Sequence, residues 1–125
     1  MANQIRPRPA RVPMKDPMQP KKCAELLSAL AAADRLRIVR FLRDGPKSVG
    51  EVAEMLKAPV VNVSHHLTVL RHAGLVHSER KGRYILYSLP PDVFHPDDKS
   101  GETEHLDLGC CRLEIPKEEA PGRSQ

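Results

Sequence analysis

Two adjacent thiols, Cys110 and Cys111, and a third far upstream at Cys23 are the residues of this chain best suited to coordination chemistry. Neighbouring cysteines do not easily join each other, but two thiolates side by side chelate a soft cation. Cys23 would complete a three-sulfur set suited to arsenite or a similar thiophilic ion. His105 and Asp107 lie close by in sequence and offer a substitute for Cys23 with a harder ion such as zinc. The competing reading makes Cys23 a small hydrophobe at an apolar helical position and the pair a bystander, since three thiols lack the paired spacing of a zinc ribbon. In a chain expected to be cytosolic, three cysteines argue against a disulfide framework and for inert thiols, metal ligands or redox sensing.

Other routes to chemistry are poorer. His65 and His72 share a helical face but lie about 10.5 Å apart along the axis, too far to share one ion, and His66 points elsewhere. There is no Gly-rich phosphate loop, no His-Glu-x-x-His run, and no Ser or Cys with a local base. A thiol oxidoreductase built on Cys110 and Cys111 lacks the usual Cys-x-x-Cys spacing. No enzyme is expected.

The elements that would position these residues are clearest in the middle of the chain. Ser48 followed by Glu51 is a capping box, so a helix starts there. Val49, Val52, Ala53 and Leu56 then recur with helical spacing, and Pro59 ends the run. A second helix is expected from about Pro59 or Val60 to Ala73, with Val63, Leu67 and Leu70 inside and Gly74 at its left-handed end. Val61, His65, Thr68 and His72 fall on the opposite side, with Asn62 on the N-terminal flank. A hairpin follows: Val76 to Arg80, a two-residue turn at Lys81-Gly82, and a strand from Arg83 in which Ile85, Tyr87 and Leu89 alternate. Arg80, Lys81 and Arg83 crowd its tip. Helix, turn, helix and basic hairpin make a winged helix-turn-helix, whose outward helix suits a major groove and whose wing suits the flanking phosphates.

Three runs strengthen that reading: Ala32-Ala33-Asp34-Arg35-Leu36-Arg37-Ile38-Val39, then Val63-Ser64-His65-His66-Leu67-Thr68-Val69-Leu70-Arg71-His72-Ala73-Gly74-Leu75-Val76, then Gly82-Arg83-Tyr84-Ile85-Leu86-Tyr87-Ser88-Leu89. In this order, over roughly residues 21 to 90, the chain resembles the arsenic-repressor (ArsR/SmtB-type) family of bacterial regulators. The resemblance implies a homodimeric repressor of operator DNA that often lets go on binding a metal ion. By position it makes Asn62, Ser64, His65 and Thr68 groove-facing and Arg80, Lys81 and Arg83 wing residues. The family often has small polar residues where Pro59, Val60 and Val61 stand, so readout there is expected to be apolar, for instance Val61 against a thymine methyl. The Cys-Val-Cys arsenic site of relatives is absent, because Glu51 to Leu56 holds no cysteine, and their C-terminal dimerisation helix is not readable here.

The flanks read differently. Residues 1–20 combine Pro7, Pro9, Pro13, Pro17 and Pro20 with Arg6, Arg8, Arg11 and Lys15, which predicts a disordered arm, either a flexible leader or one that tracks a groove. Cys23, Leu26, Leu27 and Leu30 mark an amphipathic helix, and a second helix has Leu36, Val39 and Leu42 inside, closed by Gly45-Pro46. Residues 91–125 are expected to be a linker, marked by the Asp97-Asp98-Lys99-Ser100-Gly101 run, and a Cys-containing segment with room for two short strands around Gly109. The expected fold class is therefore mainly α with a small β-hairpin, with residues 21–90 as the winged domain. A patterned region this small buries a modest core, so a dimer is plausible physically, leaning on the first helix or on something unconventional.

The net charge of +4 over 125 residues suits a polyanion. No apolar run approaches the ~20 residues of a membrane span, and no signal-peptide segment is readable, so a cytoplasmic protein without a membrane partner is expected. The rival from another class is a winged helix that meets a partner protein through Val61, His65 and Thr68.

Overall fold

Ser48 and Glu51 form the reciprocal cap that their spacing predicts: the Glu51 N–H donates to Ser48 Oγ at 3.2 Å and the Ser48 N–H donates to Glu51 Oε1 at 2.8 Å. They start helix α3 (Val49–Leu56), the third helix of a computed structural model that describes residues 19–96 and 103–116. Lys57 turns the chain in a left-handed conformation (φ 54°), and Pro59 caps α4 (Val60–His72). Proline is cheap there. It has no N–H to waste, and its carbonyl accepts from Asn62 and Val63.

Two helices precede this pair, α1 (Pro20–Leu30) and α2 (Ala33–Leu42), followed by the two-residue strand β1 (Lys47–Ser48). Ile38, Val39 and Leu42 of α2 interlock with Val52 and Leu56 of α3, with Val63, Leu67 and Leu70 of α4, and with Leu26 and Leu30 of α1. Leu36, expected in the core, and Leu27, expected on the apolar stripe of the first helix, lie outside it. Leu27 is 43% exposed and Leu36 44%, because burial follows the 23–26–30 stripe of α1 and the 38–39–42 stripe of α2 and leaves both leucines on the flank. An uncovered Leu27 sharpens one expectation. Leu27→Glu should leave the protomer folded, since the charge stays in water, yet shift sedimentation toward monomer if α1 builds the dimer; an intact dimer would place the interface elsewhere.

The wing is β2 (His77–Lys81) and β3 (Tyr84–Ser88), antiparallel, with β1 on the other side of β3. Its turn differs by one residue from the expected position. Lys81 pairs with Tyr84, so Gly82 and Arg83 make the turn rather than Lys81 and Gly82. The physical reason is Gly82 at φ 61°: a primed turn of the II′ kind needs positive φ at its first central position, which glycine adopts at least cost.

A second antiparallel sheet follows, β4 (Phe94–Pro96), β5 (Thr103–Asp107) and β6 (Arg112–Pro116), in the order β4-β5-β6. The two strands expected around Gly109 are β5 and β6; β4 occupies a stretch read as linker. Leu106, opposite Phe94 and Leu113, is 1% exposed and joins the helical core, with Phe94, Leu113 and Ile115 packed beside it. An ion pair fastens the same face. Arg43, at the end of α2, donates to Glu104 Oε1 at 3.1 Å, with both side chains largely covered. Burial works against the Arg43 charge, but the hydrogen bond and charge of Glu104, helped by Asp44, outweigh it and hold the guanidinium above its ordinary pKa. The arm expected over residues 1–20 lies almost wholly outside the described residues, as does the Asp97–Gly101 run. Among the described residues no helix is long and apolar enough to cross a membrane.

Candidate nucleic-acid interface and metal centre

The two faces of α4 are sharply different. Val63, Leu67 and Leu70 are completely buried, while Val61 is 73% exposed and Asn62, Ser64, His65 and His72 are exposed beside it. Thr68 is half-buried. Among the described residues no side-chain hydrogen bond engages Asn62, Ser64, His65 or Thr68. Val60, half exposed, and Val61 give the first turn an apolar lip where side chains lack polar atoms.

His66 does not belong to that surface. Its Nδ1 lies 3.2 Å from Arg35 Nη1, its Nε2 lies 3.9 Å from Asp34 Oδ2, and Arg35 Nε donates to the Ala29 carbonyl at 2.6 Å. Arg35 thereby ties the inner flank of α4 to the junction of α1 and α2. The sequence pattern assigns Arg35 no role, although it stands in the Ala32–Val39 run; its signal is a cation in the first turn of α2, facing nothing that the linear order reveals. At the wing, Arg80, Lys81 and Arg83 are all exposed, with Lys81 Nζ only loosely paired to Glu79 at 3.8 Å. Such an exposed pair is worth little and leaves the tip free to bind anions.

The third feature was scattered in sequence and is compact in space. The Gly109 N–H donates to Asp107 Oδ1 at 2.9 Å, Gly109 adopts φ 88°, and the Leu108 N–H donates to the Cys111 carbonyl at 3.0 Å, so the β5–β6 turn is tightly determined. It sets both cysteines against α1. Cys23 and Cys110 are joined by a disulfide, which corrects the expectation of three thiols. Their separation of 87 residues hid a Cα–Cα distance of 6.0 Å, within the ordinary reach of such a bridge. Cys111 is the free thiol, and its Sγ stands 3.9 Å from Cys23 Sγ and 3.9 Å from Cys110 Sγ.

The donor set fits a soft ion once the bridge is reduced. Two thiolates on one ion at roughly 2.3 Å stand about 3.8 Å apart. Cys111 already holds that spacing to both partners, and only the third edge of the triangle must open. His105 and Asp107 are not part of the cluster: the imidazole stacks on His95 at 5.2 Å, and the carboxylate is occupied by the Gly109 N–H. Among the described residues the three cysteines are the one group of potential ligands this close together, all within 4.8 Å.

A sequence model described as bacterial regulatory protein, arsR family, matches residues 33–78. The HTH-type transcriptional regulator NmtR of Mycobacterium tuberculosis is 43% identical over 88 residues, which span 69% of this chain and 73% of that protein. The chain belongs to the ArsR family. The transcriptional repressor SmtB of the same organism is 48% identical over 65 residues, 52% of this chain, and the chain spans only 48% of its length. Among solved structures, the homodimeric winged helix-turn-helix DNA-binding domain Mb0332 of Mycobacterium bovis superposes with a TM-score of 0.54 at 29% identity, covering 55% of this ArsR-family chain and 64% of that one. The fold is a winged helix-turn-helix, as expected. The family match covers residues 33–78, so the second sheet and all three cysteines lie outside it.

Proposed function

We propose that this ArsR-family chain is a cytoplasmic, homodimeric transcriptional repressor. It lays α4 in the major groove of operator DNA and its wing on the flanking phosphates, and it releases the operator when a thiophilic ion such as arsenite engages Cys23, Cys110 and Cys111. The observation that carries the DNA half is the uncovered outer face of α4, where Val61, Asn62, Ser64 and His65 lie opposite three fully buried residues. Asn62, Ser64, His65 and Thr68 have the donors and acceptors that base edges match, and Val61 has a methyl pair for thymine. Two copies related by a two-fold axis would read half-sites about one helical turn apart. The repressor name of SmtB and the homodimer of the Mycobacterium bovis domain support the reading.

The ion half rests on the sulfur triangle. Three thiolates on a soft ion would tie α1 to the β5–β6 turn, and Cys23, on α1, is six residues from the carbonyl that Arg35 holds. A bound ion would supply charge neutralisation of the thiolates and a fixed distance between the two elements.

Two expected results test the interface in gel shifts on the chain's own promoter. His65→Ala should weaken specific binding by about 1–3 kcal/mol while non-specific binding stays nearly intact. An equal loss in both would make His65 a phosphate contact or a fold residue. Replacing Lys81 and Arg83 by alanine should lower affinity for every duplex alike and reduce the salt slope by about one per lost phosphate contact; an unchanged slope would mean that the tip never touches DNA. Salt-insensitive binding of a protein, with no duplex binding, would replace the proposal with the partner-protein reading.

A further inference from the structure

The sulfur triangle is graded in accessibility: Cys23 is 3% exposed, Cys110 is half-buried, and Cys111 is exposed. An external thiol or disulfide therefore cannot reach Cys23, although Cys23 is one end of the bridge. It can reach Cys111. The Cys111 sulfur stands 3.9 Å from both bridged sulfurs, beside the bond rather than along its axis, so exchange with either requires this exposed side chain to turn. Disulfides that form in a reducing compartment are usually transient and catalytic or redox-sensing, which gives such accessibility a use.

We propose that Cys23, Cys110 and Cys111 form a thiol–disulfide exchange site for low-molecular-weight disulfides, in which Cys111 is the entry and exit thiol for the buried bridge. In the oxidising direction the Cys111 thiolate attacks a disulfide RSSR, forms the Cys111–SR mixed disulfide and expels RS⁻. The Cys23 thiolate then attacks the Cys111 sulfur, forming Cys23–Cys111 and releasing the second RS⁻. Finally the Cys110 thiolate attacks the Cys23 sulfur and returns Cys111 as a thiolate. The sum converts two protein thiols and RSSR into the Cys23–Cys110 bridge and two RSH, with two electrons passing from protein to RSSR; reduction by RSH retraces these steps. This chemistry stands without the ion reading. One consequence rests on that reading: the bridge consumes two of three thiolates, so the oxidised chain cannot hold the ion, and oxidation and ion binding exclude each other.

The test follows the full chain, first reduced with a dithiol, after addition of glutathione disulfide, with acid quenching, alkylation and peptide mapping over time. The expected course is a glutathione adduct on Cys111 that decays as the Cys23–Cys110 bridge appears. In Cys111→Ala, formation of the bridge and its reduction by glutathione should both slow by about tenfold or more, because access rather than bond strength is removed. A first adduct on Cys110, equal rates in Cys111→Ala, or a wild type in which the bridge never forms would each overturn the proposal. Cys23→Ala, a conservative change at a packed position, should stop at the adduct or at a Cys110–Cys111 bond; a bridge-like gel shift unchanged by it would also overturn the proposal. Arsenite binding, measured separately on reduced and oxidised protein, keeps the two ideas distinguishable. Uptake by the reduced form only supports exclusion, uptake by both forms overturns exclusion, and uptake by neither refutes the ion reading while leaving exchange to the mapping result.

Discussion

Replacing Leu106 with alanine is expected to destabilise the fold by about 2–5 kcal/mol, the range for removing a large aliphatic side chain from a packed site. Leu106 is 1% exposed, one residue from the end of β5, and belongs to the same cluster as the helical core, so its loss leaves a cavity where the second sheet meets the helices. Against a total of about 5–15 kcal/mol for a domain, this removes between about an eighth and all of the stability. Urea denaturation checks it: the midpoint should fall while the slope stays constant if the chain unfolds as one unit. Arg43 and Glu104 hold the same sheet at one end only, so an ion pair with partial access to water should not compensate for the lost packing. A midpoint unchanged within error would mean that the sheet is not docked on the helices, and the sulfur triangle would lose its structural basis.

Arsenite added to the operator complex of the reduced chain is expected to weaken DNA affinity by roughly 5- to 150-fold, the effect of a coupling of about 1–3 kcal/mol. Binding alone does not produce this; the ion must favour the conformation with lower affinity for DNA. The structure holds a physical route. Cys23 and the Ala29 carbonyl share α1, Arg35 donates to that carbonyl, and Arg35 touches His66 on α4, so a shift of α1 reaches the helix proposed to read DNA. Because the ligating form is thiolate, ion binding should release protons and tighten as pH rises. Titration by fluorescence anisotropy with arsenite, cadmium and zinc checks the response, and the Cys110→Ser, Cys111→Ser chain provides the control: it should still fold and bind DNA but no longer respond. Equal responses in both proteins, or none in the reduced wild type, would remove the cluster from the sensing role.

Much of the winged domain was legible because its signals are local. Ser48 with Glu51, Pro59 at the head of α4, and the 63–67–70 stripe each specify their own geometry within one or two turns of chain. The wing was legible in kind but slipped by one residue, since the register depends on which position takes the positive φ, and Gly82 claims it. Leu36 was misplaced, and Leu27 falls outside the core, for a related reason. Helical spacing defines a stripe about 100° wide, and residues at its edge are buried or exposed according to what packs against them. Neither helix carries that information alone.

The C-terminal sheet and its cysteines mark the opposite extreme. Short alternation around Gly109 announced two strands, but not that Leu106 would enter the helical core or that Arg43 would reach Glu104 across 61 residues. Residue types alone selected soft-ion and thiol chemistry, because sulfur brings that chemistry wherever it stands, and local pattern alone selected a helix-turn-helix with a basic wing. Which sulfurs meet, which one stays exposed, and whether two of them bond depended on the packing of β5 and β6 over α1. Contacts between residues 87 apart are set by the buried surface that holds both segments in place, and no spacing within either segment encodes them.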